Sequence, residues 1–280
     1  KPNFVEMGPY TLSEVHERVN LVWNANNTVT YEQRRTWHFV PELSKGTLDD
    51  QVTNLNVITL NAAHFLRNTY PLLRPLINIF LKTDGSLLWK NKPVRELLFE
   101  GVKDPLLDLL KTINSTSLNI PFDKFGWFVG RNLSDTFDGT FTMRTGADGL
   151  ESMGFLTQWN GSPNTGMYRG KCGEVYGTSG ELWPPLAVSA SITLFPSDIC
   201  RSHYAASREQ VSLYNIQGTK YVGDDRVFDN GVKYPEASCW CNSNPTQCPD
   251  LKPGVFNRSA CKYGSPTFVS FPHFYLADQS

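Results

Sequence analysis

The stretch Cys239-Trp240-Cys241-Asn242-Ser243-Asn244-Pro245-Thr246-Gln247-Cys248 holds three of the six cysteines in the 280-residue chain. The other three are Cys172, Cys200 and Cys261, so all six lie in the second half of the sequence. An even, clustered set of cysteines is typical of disulfides that form in an oxidising compartment. Acceptors for N-linked glycans agree with this location, at Asn26, Asn114, Asn132, Asn160 and Asn257. We therefore expect the protein to face the cell exterior or the lumen of an organelle.

Spacing narrows the pairing of these cysteines only in part. In an extended backbone, Cys239 and Cys241 have Cα atoms roughly 6.6 Å apart on one face, so a bond between them would be strained. Cys241 can instead close a short loop onto Cys248, because the intervening Asn-Ser-Asn-Pro run favours a turn. A zinc site of Cys239, Cys241, Cys248 and Cys261 is an alternative, but it lacks the paired Cys-x2-Cys spacing of structural zinc sites. The partners of the other four cysteines stay open on spacing alone.

Composition excludes several classes of protein. Hydrophobic residues make up 40% of the chain and charged residues 19%, which is enough apolar material for a sizeable core. The net charge is -1 and no run of Lys or Arg exceeds two residues, so we expect no nucleic-acid partner. No stretch approaches about 20 consecutive apolar residues, and the sequence therefore predicts no membrane-spanning helix within the chain.

The hydrophobic pattern changes period along the chain. Residues 1–40 alternate polar and apolar side chains with aromatic and β-branched enrichment, which predicts an antiparallel β-meander. Residues 51–113 repeat apolar side chains at helical spacing and predict about three short helices, with Asp104 as an N-cap and Pro105 in a first helical turn. Strand patterns return over 137–145, 150–159, 188–195, 211–222 and 267–276. The sequence therefore predicts the α+β class, in which a mostly antiparallel β-domain carries a small helical cluster.

Motifs of catalysis are incomplete throughout the sequence. His16-Glu17 begins like the zinc-binding pattern His-Glu-x-x-His, but Asn20 occupies the position of the second histidine. The run Gly177-Thr178-Ser179-Gly180 lacks the spacing of a nucleophile elbow. His64 falls on an apolar helical face, so we expect a buried core histidine there. We accordingly predict no enzymatic activity, no catalytic residue, no cofactor and no metal site.

Four runs of sequence carry a resemblance to a known family. They are KPNFVEMGPY at residues 1–10, RELLFEG at 95–101, FPSDICR at 195–201 and FPHFYLAD at 271–278. In this order and over the whole chain, they resemble the ectodomain of class B scavenger receptors. Within that family, the chain is most similar to the insect receptors with which phagocytes bind apoptotic cells.

The resemblance implies a fold and a covalent framework. The fold is an antiparallel β-barrel-like core with a membrane-distal, apical helical bundle, which would correspond to residues 51–113. Residues 1–280 would then be one partial ectodomain, anchored by transmembrane helices that are absent from this chain. The family's three disulfides carry over as Cys172–Cys239, Cys200–Cys261 and Cys241–Cys248, which makes 172–261 a disulfide-bonded region.

The resemblance also implies a function and a binding site. The family binds lipids, lipoproteins and anionic phospholipid on apoptotic cells or microbes, at the plasma membrane or at endosomal and lysosomal membranes. In the helical segment, the cations Arg67, Arg74 and Lys82 and the apolar residues Leu73, Ile77 and Phe80 are the candidate ligand-binding residues. The same apolar spacing also fits a plain helical core. Two alternative functions stay open: selective transport of fatty acid, sterol or carotenoid through an apolar tunnel, and sorting of a lysosomal hydrolase.

Overall fold

The computed structural model describes residues 5–69, 75, 78–79, 87–112, 123–185, 190–241, 252–262 and 264–279, with the backbone alone described for 65–69, 90 and 109–112. The chain divides into two compact units. The first unit comprises residues 1–17 and 34–137, and the second comprises residues 18–33 and 138–280. Strands β1 (Leu12–Trp23) and β2 (Thr28–Phe39) contribute residues to both units.

The first unit contains the helices. After β2 and a 3-10 turn, its elements are β3 (Gln51–Leu55), α1 (Val57–Thr69), β4 (Leu88–Pro93), a π-helical turn at Glu96–Glu100 and α2 (Pro105–Thr112). Their apolar side chains form one buried core, made of Ile58, Ala62, Trp89, Leu97, Val102, Leu106 and Leu107. Helices therefore lie within 51–113 as the periodicity predicts. The segment also contains the antiparallel β3–β4 pair, which helical spacing did not predict.

A long hairpin replaces the meander predicted for residues 1–40. Within the described residues of this segment, only β1 and β2 are strands, and Asn24–Asn27 form the turn between them. The Asn24 side-chain amide donates to the hydroxyls of Thr28 and Thr30, both at 3.0 Å, which stabilises the turn. The hairpin belongs to a four-stranded sheet of order β1-β2-β5-β6, with β5 at Thr140–Arg144 and β6 at Leu156–Trp159.

The core of the second unit follows from the alternation of side chains along this sheet. Val29 and Tyr31 on β2 point to the same face as Phe141 and Met143 on β5, to which they are paired directly. These four side chains are buried together with Leu156, Trp159, Val175, Phe195, Cys200 and Cys261. Tyr31 stacks on Phe141 with ring centroids 5.6 Å apart, as expected for cross-strand aromatic neighbours.

A second sheet, of order β7-β8-β9, corrects one strand prediction. Its strands are β7 (Ser191–Leu194), β8 (His203–Leu213) and β9 (Ile216–Val222), paired antiparallel. Residues 211–222 are therefore not one strand but two, which join at a turn of Tyr214 and Asn215. Both turn residues have positive φ, 51° and 65°, as a tight hairpin turn with right-handed strand twist requires.

Two other strand predictions are correct only in part. In the segment 150–159, a 3-10 turn occupies Leu150–Ser152, and only Leu156–Trp159 is a strand. In the segment 267–276, only Phe268–Val269 (β11) is a strand, which pairs with β10 (Phe256–Asn257), and a 3-10 turn follows at Pro272–Phe274. Proline at the start of that turn lacks the N–H that a sheet ladder needs.

The class prediction agrees with the structure at the level of sheets and helices. The ladders β2–β5, β5–β6, β3–β4, β7–β8, β8–β9 and β10–β11 are all antiparallel. The strands form separate sheets of four, three, two and two strands, and in the described part of the chain they do not close into a barrel. The barrel-like core thus stays a prediction.

Candidate functional site

The predicted ligand-binding residues belong to the helical cluster, by which we mean β3, α1, β4, the Glu96–Glu100 turn and α2. Both helices of the cluster begin at a capping side chain. Asn56 precedes α1, and its Oδ1 accepts a hydrogen bond from the backbone N–H of Thr59 at 2.9 Å. Asp104 precedes α2, and its Oδ1 accepts one from the backbone N–H of Leu106 at 2.9 Å. The N-cap and the first-turn proline predicted at Asp104 and Pro105 are therefore confirmed.

The two capping residues also contact each other. The Asn56 side-chain amide donates to Asp104 Oδ2 at 2.9 Å, and the indole N–H of Trp89 donates to the same oxygen at 3.3 Å. All three residues are buried. One carboxylate therefore joins the first turns of both helices to β4, and each polar group in this buried network has a partner.

The surface of the helical cluster presents a pair of leucines. Leu55 on β3 is directly opposite Leu88 on β4, so the two side chains share one face of the β3–β4 pair. They are 45% and 39% exposed, and Leu87 and Leu60 nearby in sequence are exposed as well. Surface leucines that occur singly are ordinary, whereas a cross-strand pair presents continuous apolar surface. This pair is therefore a described part of the cluster that presents apolar surface to solvent.

Two described cations in or beside the helical cluster, Lys92 on β4 and Arg95 before the Glu96–Glu100 turn, form ion pairs. Lys92 Nζ lies 3.5 Å from a carboxylate oxygen of Glu96, one helical turn away in sequence. The Arg95 guanidinium pairs with Asp49 and approaches Glu100 Oε1 at 4.0 Å. These two cations consequently have carboxylate partners within the protein, and a polyanion would compete with those partners.

The six candidate ligand-binding residues fall largely beyond the described part of the chain. Arg67 lies in α1, where the backbone alone is described. Five residues lie outside the described residues: Leu73, Arg74, Ile77, Phe80 and Lys82. His64, which the pattern placed in the core, is exposed instead, because the buried face of α1 runs through Ile58 and Ala62.

A second group of residues surrounds the disulfides, and we call it the disulfide core: Cys172, Cys200, Arg201, Cys239, Trp240, Phe256 and Cys261. Cys172 is bonded to Cys239 and Cys200 to Cys261, with Cα atoms 5.7 Å and 5.8 Å apart. These are two of the pairs that the resemblance implies. They also rule out the tetrathiolate zinc alternative, because Cys239 and Cys261 are not thiolates. Cys241 is likewise a disulfide cysteine, and its predicted partner Cys248 lies outside the described residues.

Arg201 is the buried cation of the disulfide core. Its Cζ lies 3.8 Å from the ring centroid of Trp240 and 4.4 Å from that of Phe256, and Nη2 donates to the carbonyl of Val227 at 2.8 Å. Burial lowers the pKa of the guanidinium to about 9. Aromatic rings stabilise a cation that is removed from water. Because Arg201 follows Cys200 and Trp240 follows Cys239, this contact joins the two disulfides.

His203 lies two residues after Arg201 in the sequence, and the same surroundings shift its pKa. Burial, and then the charge of Arg201, lower the pKa of the imidazole to about 4. Sequence reasoning missed both residues, because a charged side chain and a strand histidine ordinarily predict surface positions. Only the position of Arg201 directly after Cys200 could have suggested otherwise.

Comparison with known proteins identifies the family. The CD36 family matches residues 1–280, which is the entire chain. The chain belongs to the CD36 family. It is 32% identical to Protein peste of Drosophila melanogaster over 282 residues and 32% identical to mouse scavenger receptor class B member 1 over 280 residues. It is 30% identical to human lysosome membrane protein 2 over 287 residues.

These matches cover a larger share of this chain than of its relatives. They cover 99–100% of this CD36-family chain, but 50% of Protein peste, 53% of the mouse receptor and 56% of the human lysosomal protein. The chain thus spans about half the length of these curated relatives. Among the residues that the structure describes, no helix combines the length and apolarity needed to cross a membrane.

The runs that suggested the CD36 family occupy structural positions in the fold. Residues 195–201 connect β7 to β8 and include the buried Phe195, Cys200 and Arg201. Residues 95–101 form the π-helical turn and end at Gly101, whose φ of 88° suits glycine. In residues 271–278, Phe271 packs against Phe228 with ring centroids 4.9 Å apart. These three runs therefore supply buried side chains and a turn glycine of the fold.

The glycan acceptors of this CD36-family chain differ in exposure. Asn26 and Asn160 are exposed, whereas Asn132 and Asn257 are half-buried, and Asn114 lies outside the described residues. Asn132 Oδ1 accepts a hydrogen bond from the backbone N–H of Trp37 at 3.0 Å. Asn26, on the turn of the β1–β2 hairpin, and Asn160 are the described acceptors whose exposure suits a bulky glycan.

Proposed function

We propose that this chain is part of the ligand-binding ectodomain of a cell-surface scavenger receptor that captures lipid ligands for phagocytic uptake, without catalysis. The observation that carries the proposal is the match of the whole chain to the CD36 family, with 32% identity to scavenger receptor class B member 1. The ligands would be lipids, lipoproteins and anionic phospholipid on apoptotic cells or microbes. The location would be the extracellular face of the plasma membrane.

The helical cluster would contact the ligand. Leu55 and Leu88 provide adjoining apolar surface against which an acyl chain can be buried. Because Lys92 and Arg95 already pair with carboxylates, we assign the anionic headgroups to three other cations of residues 51–113, which are Arg67, Arg74 and Lys82. Leu73, Ile77 and Phe80 would extend the apolar surface.

The remainder of the architecture is proposed from the family. The antiparallel sheets would belong to a β-barrel-like core, with residues 51–113 inserted at its apex, and residues 1–280 would be one partial ectodomain. Cys241–Cys248 would be the third disulfide of the region 172–261. Transmembrane helices outside this chain would anchor the receptor.

The test is engulfment of apoptotic cells by cells that display the full-length receptor. We expect Leu55→Gln with Leu88→Gln, and separately Arg67→Ala with Arg74→Ala and Lys82→Ala, to lower engulfment at least fivefold at equal surface display. The matched control is Leu43→Gln, an exposed leucine of the same compact unit outside the helical cluster, which should leave engulfment unchanged.

The same cells distinguish the alternative functions. Unchanged engulfment by both cluster variants would contradict the proposal. If the variants instead lost uptake of a labelled fatty acid, sterol or carotenoid, lipid transport would be the function. If they lost only the capture of a lysosomal hydrolase from cell extract, the chain would be a sorting receptor.

A further inference from the structure

The β8–β9 hairpin ends in a ribbon of two strands. The β7–β8 ladder ends at the pair Ser191–Ala206, and among the described residues β9 is the only strand that pairs with the distal part of β8. From the pair Glu209–Lys220 to the pair Leu213–Ile216, five residue pairs extend the ribbon by roughly 17 Å. The ribbon begins after a register shift between Ser207 and Glu209 and ends at the turn of Tyr214 and Asn215.

The two faces of this ribbon differ in polarity. Directly paired residues share a face, which puts Val211, Leu213 and Ile216 on one side toward the tip, with the Glu209–Lys220 pair on the same side at the base. The opposite side carries Gln210, Ser212, Gln217 and Thr219. Their side chains form hydrogen bonds across the strands, between Gln210 and Thr219 and between Ser212 and Gln217. The ribbon is therefore amphipathic.

The tip of the ribbon exposes its largest apolar side chains. Leu213 is 67% exposed, Tyr214 is 98% exposed and Ile216 is 73% exposed. No charged residue occurs between Glu209 and Lys220, and these two form an ion pair at 2.8 Å at the base of the ribbon. Three neighbouring apolar side chains at a projecting, uncharged tip are unfavourable in water and indicate a partner.

The chemistry of the tip selects that partner. Aliphatic side chains beside a tyrosine match the boundary between acyl chains and headgroups, where the ring is buried and the hydroxyl stays hydrated. The Glu209–Lys220 pair at the base and the polar face would remain at the level of the headgroups. Since the tip carries no cation, attraction to anionic lipid contributes little. We propose that the tip Leu213-Tyr214-Asn215-Ile216 inserts into the interface of a zwitterionic phospholipid bilayer.

The other exposed hairpin of the same compact unit serves as a contrast. Trp23, before the turn of β1 and β2, is 72% exposed. That turn, however, consists of Asn24, Ala25, Asn26 and Asn27, and Asn26 is a glycan acceptor. A hydrated turn that can carry a glycan is a poor membrane anchor, so the inference applies to the β8–β9 tip alone.

The test uses the oxidised 280-residue chain and vesicles of pure phosphatidylcholine in a flotation assay. Tyr214→Asp should lower the fraction bound at least tenfold, and so should Leu213→Ser with Ile216→Ser. Because the Tyr214 side chain is almost wholly exposed, its replacement leaves the folded core intact, which near-ultraviolet circular dichroism checks. Trp23→Ser is the matched control and should bind within twofold of the unmodified chain.

A second measurement reports insertion directly. In Tyr214→Trp, the added fluorescence should be quenched by brominated phosphatidylcholine more strongly than that of the unmodified chain. Failure of the unmodified chain to float, or equal binding by Tyr214→Asp, would overturn the inference and indicate that another protein segment covers the tip. Binding that needs phosphatidylserine would also overturn it. Variants of the helical cluster should float as the unmodified chain does. A failure of the proposed receptor function would therefore be distinguishable from a failure of membrane insertion by the tip.

Discussion

The disulfide core and the helical cluster are stabilised by different chemistry. In the disulfide core, two covalent bonds flank a buried guanidinium that contacts the rings of Trp240 and Phe256. In the helical cluster, which contains no cysteine, the first turns of both helices are joined through a single carboxylate, that of Asp104. The cluster therefore combines its apolar core with a few buried hydrogen bonds, whereas the disulfide core is also cross-linked covalently.

This difference has a consequence for function. Segments that rearrange around a ligand come from the less stable part of a structure, because opening a local region takes less free energy there. We expect the helical cluster to open at lower free energy than the disulfide core. The following predictions alter one region or compare a contact in each, from the largest expected effect to the smallest.

Removal of the Cys200–Cys261 bond should give the largest effect. The two cysteines are 61 residues apart, and cross-linking a loop of this length stabilises a protein by about 4 kcal/mol on the chain-entropy estimate. We expect the double variant Cys200→Ala with Cys261→Ala to lose about that free energy of unfolding in urea.

Hydrogen exchange provides the internal control for this variant. Exchange should accelerate in β7 and β8 and stay unchanged in α1 and α2. Equal acceleration in the helices would mean that the two regions unfold together, and it would contradict the comparison.

Loss of the Asp104 carboxylate tests the helical cluster in the same way. In Asp104→Ala, the buried amide of Asn56 and the indole N–H of Trp89 lose their acceptor, and α2 loses its cap. We expect the free energy of unfolding to fall by about 3 kcal/mol and exchange to accelerate in both helices. The neighbouring exposed Lys103→Ala should change stability by less than about 0.5 kcal/mol. A similar loss of stability in both variants would contradict the role of the Asp104 carboxylate in joining the two helices.

Acidification should weaken the disulfide core through His203. The imidazole has a pKa of about 4 in the folded protein and about 6.5 when unfolded, so between these values only the unfolded chain takes up the proton. Stability that is present above pH 6.5 is therefore lost as the pH falls toward 4, by roughly 2 kcal/mol between pH 7 and pH 5.

A histidine variant isolates this contribution. His203→Gln should remove the loss between pH 7 and pH 5, whereas replacement of the exposed His38 by Gln should preserve it. Urea unfolding at both pH values is the measurement. An unchanged pH dependence in His203→Gln would refute the assignment.

Much of this architecture was predictable because the sequence patterns that determine it are local. Asp104-Pro105 before an apolar helical run predicted the start of α2, and the segments 137–145 and 188–195 contain β5 and β7. The cap at Asn56 was also within reach, since asparagine directly precedes Val57 and the helical spacing.

Other features were not predictable, because they depend on contacts between residues far apart in sequence. The buried guanidinium of Arg201 contacts Trp240 and Phe256, which lie 39 and 55 residues further along the chain, so no local pattern predicts its burial. The turn at Tyr214 and Asn215 lacks glycine and proline, and a tyrosine with positive φ is rare, so the segment read as one strand. For the ligand site, the sequence supplies candidates, and the described residues add the Leu55–Leu88 pair.

The smallest predicted effect compares one cation–π contact in each compact unit. Arg201 is buried and lies 3.8 Å from the ring centroid of the half-buried Trp240, whereas Arg35 lies 4.9 Å from the ring centroid of Trp37 and keeps part of its side chain in water. Desolvation strengthens such contacts, so a double-mutant cycle should give a coupling of about 1.5 kcal/mol for Arg201→Met with Trp240→Leu. The cycle of Arg35→Met with Trp37→Leu should give about 0.5 kcal/mol. Urea unfolding of the six variants and the unmodified chain measures both couplings. Equal values would show that burial of the guanidinium does not strengthen its contact with the ring, and would contradict the prediction.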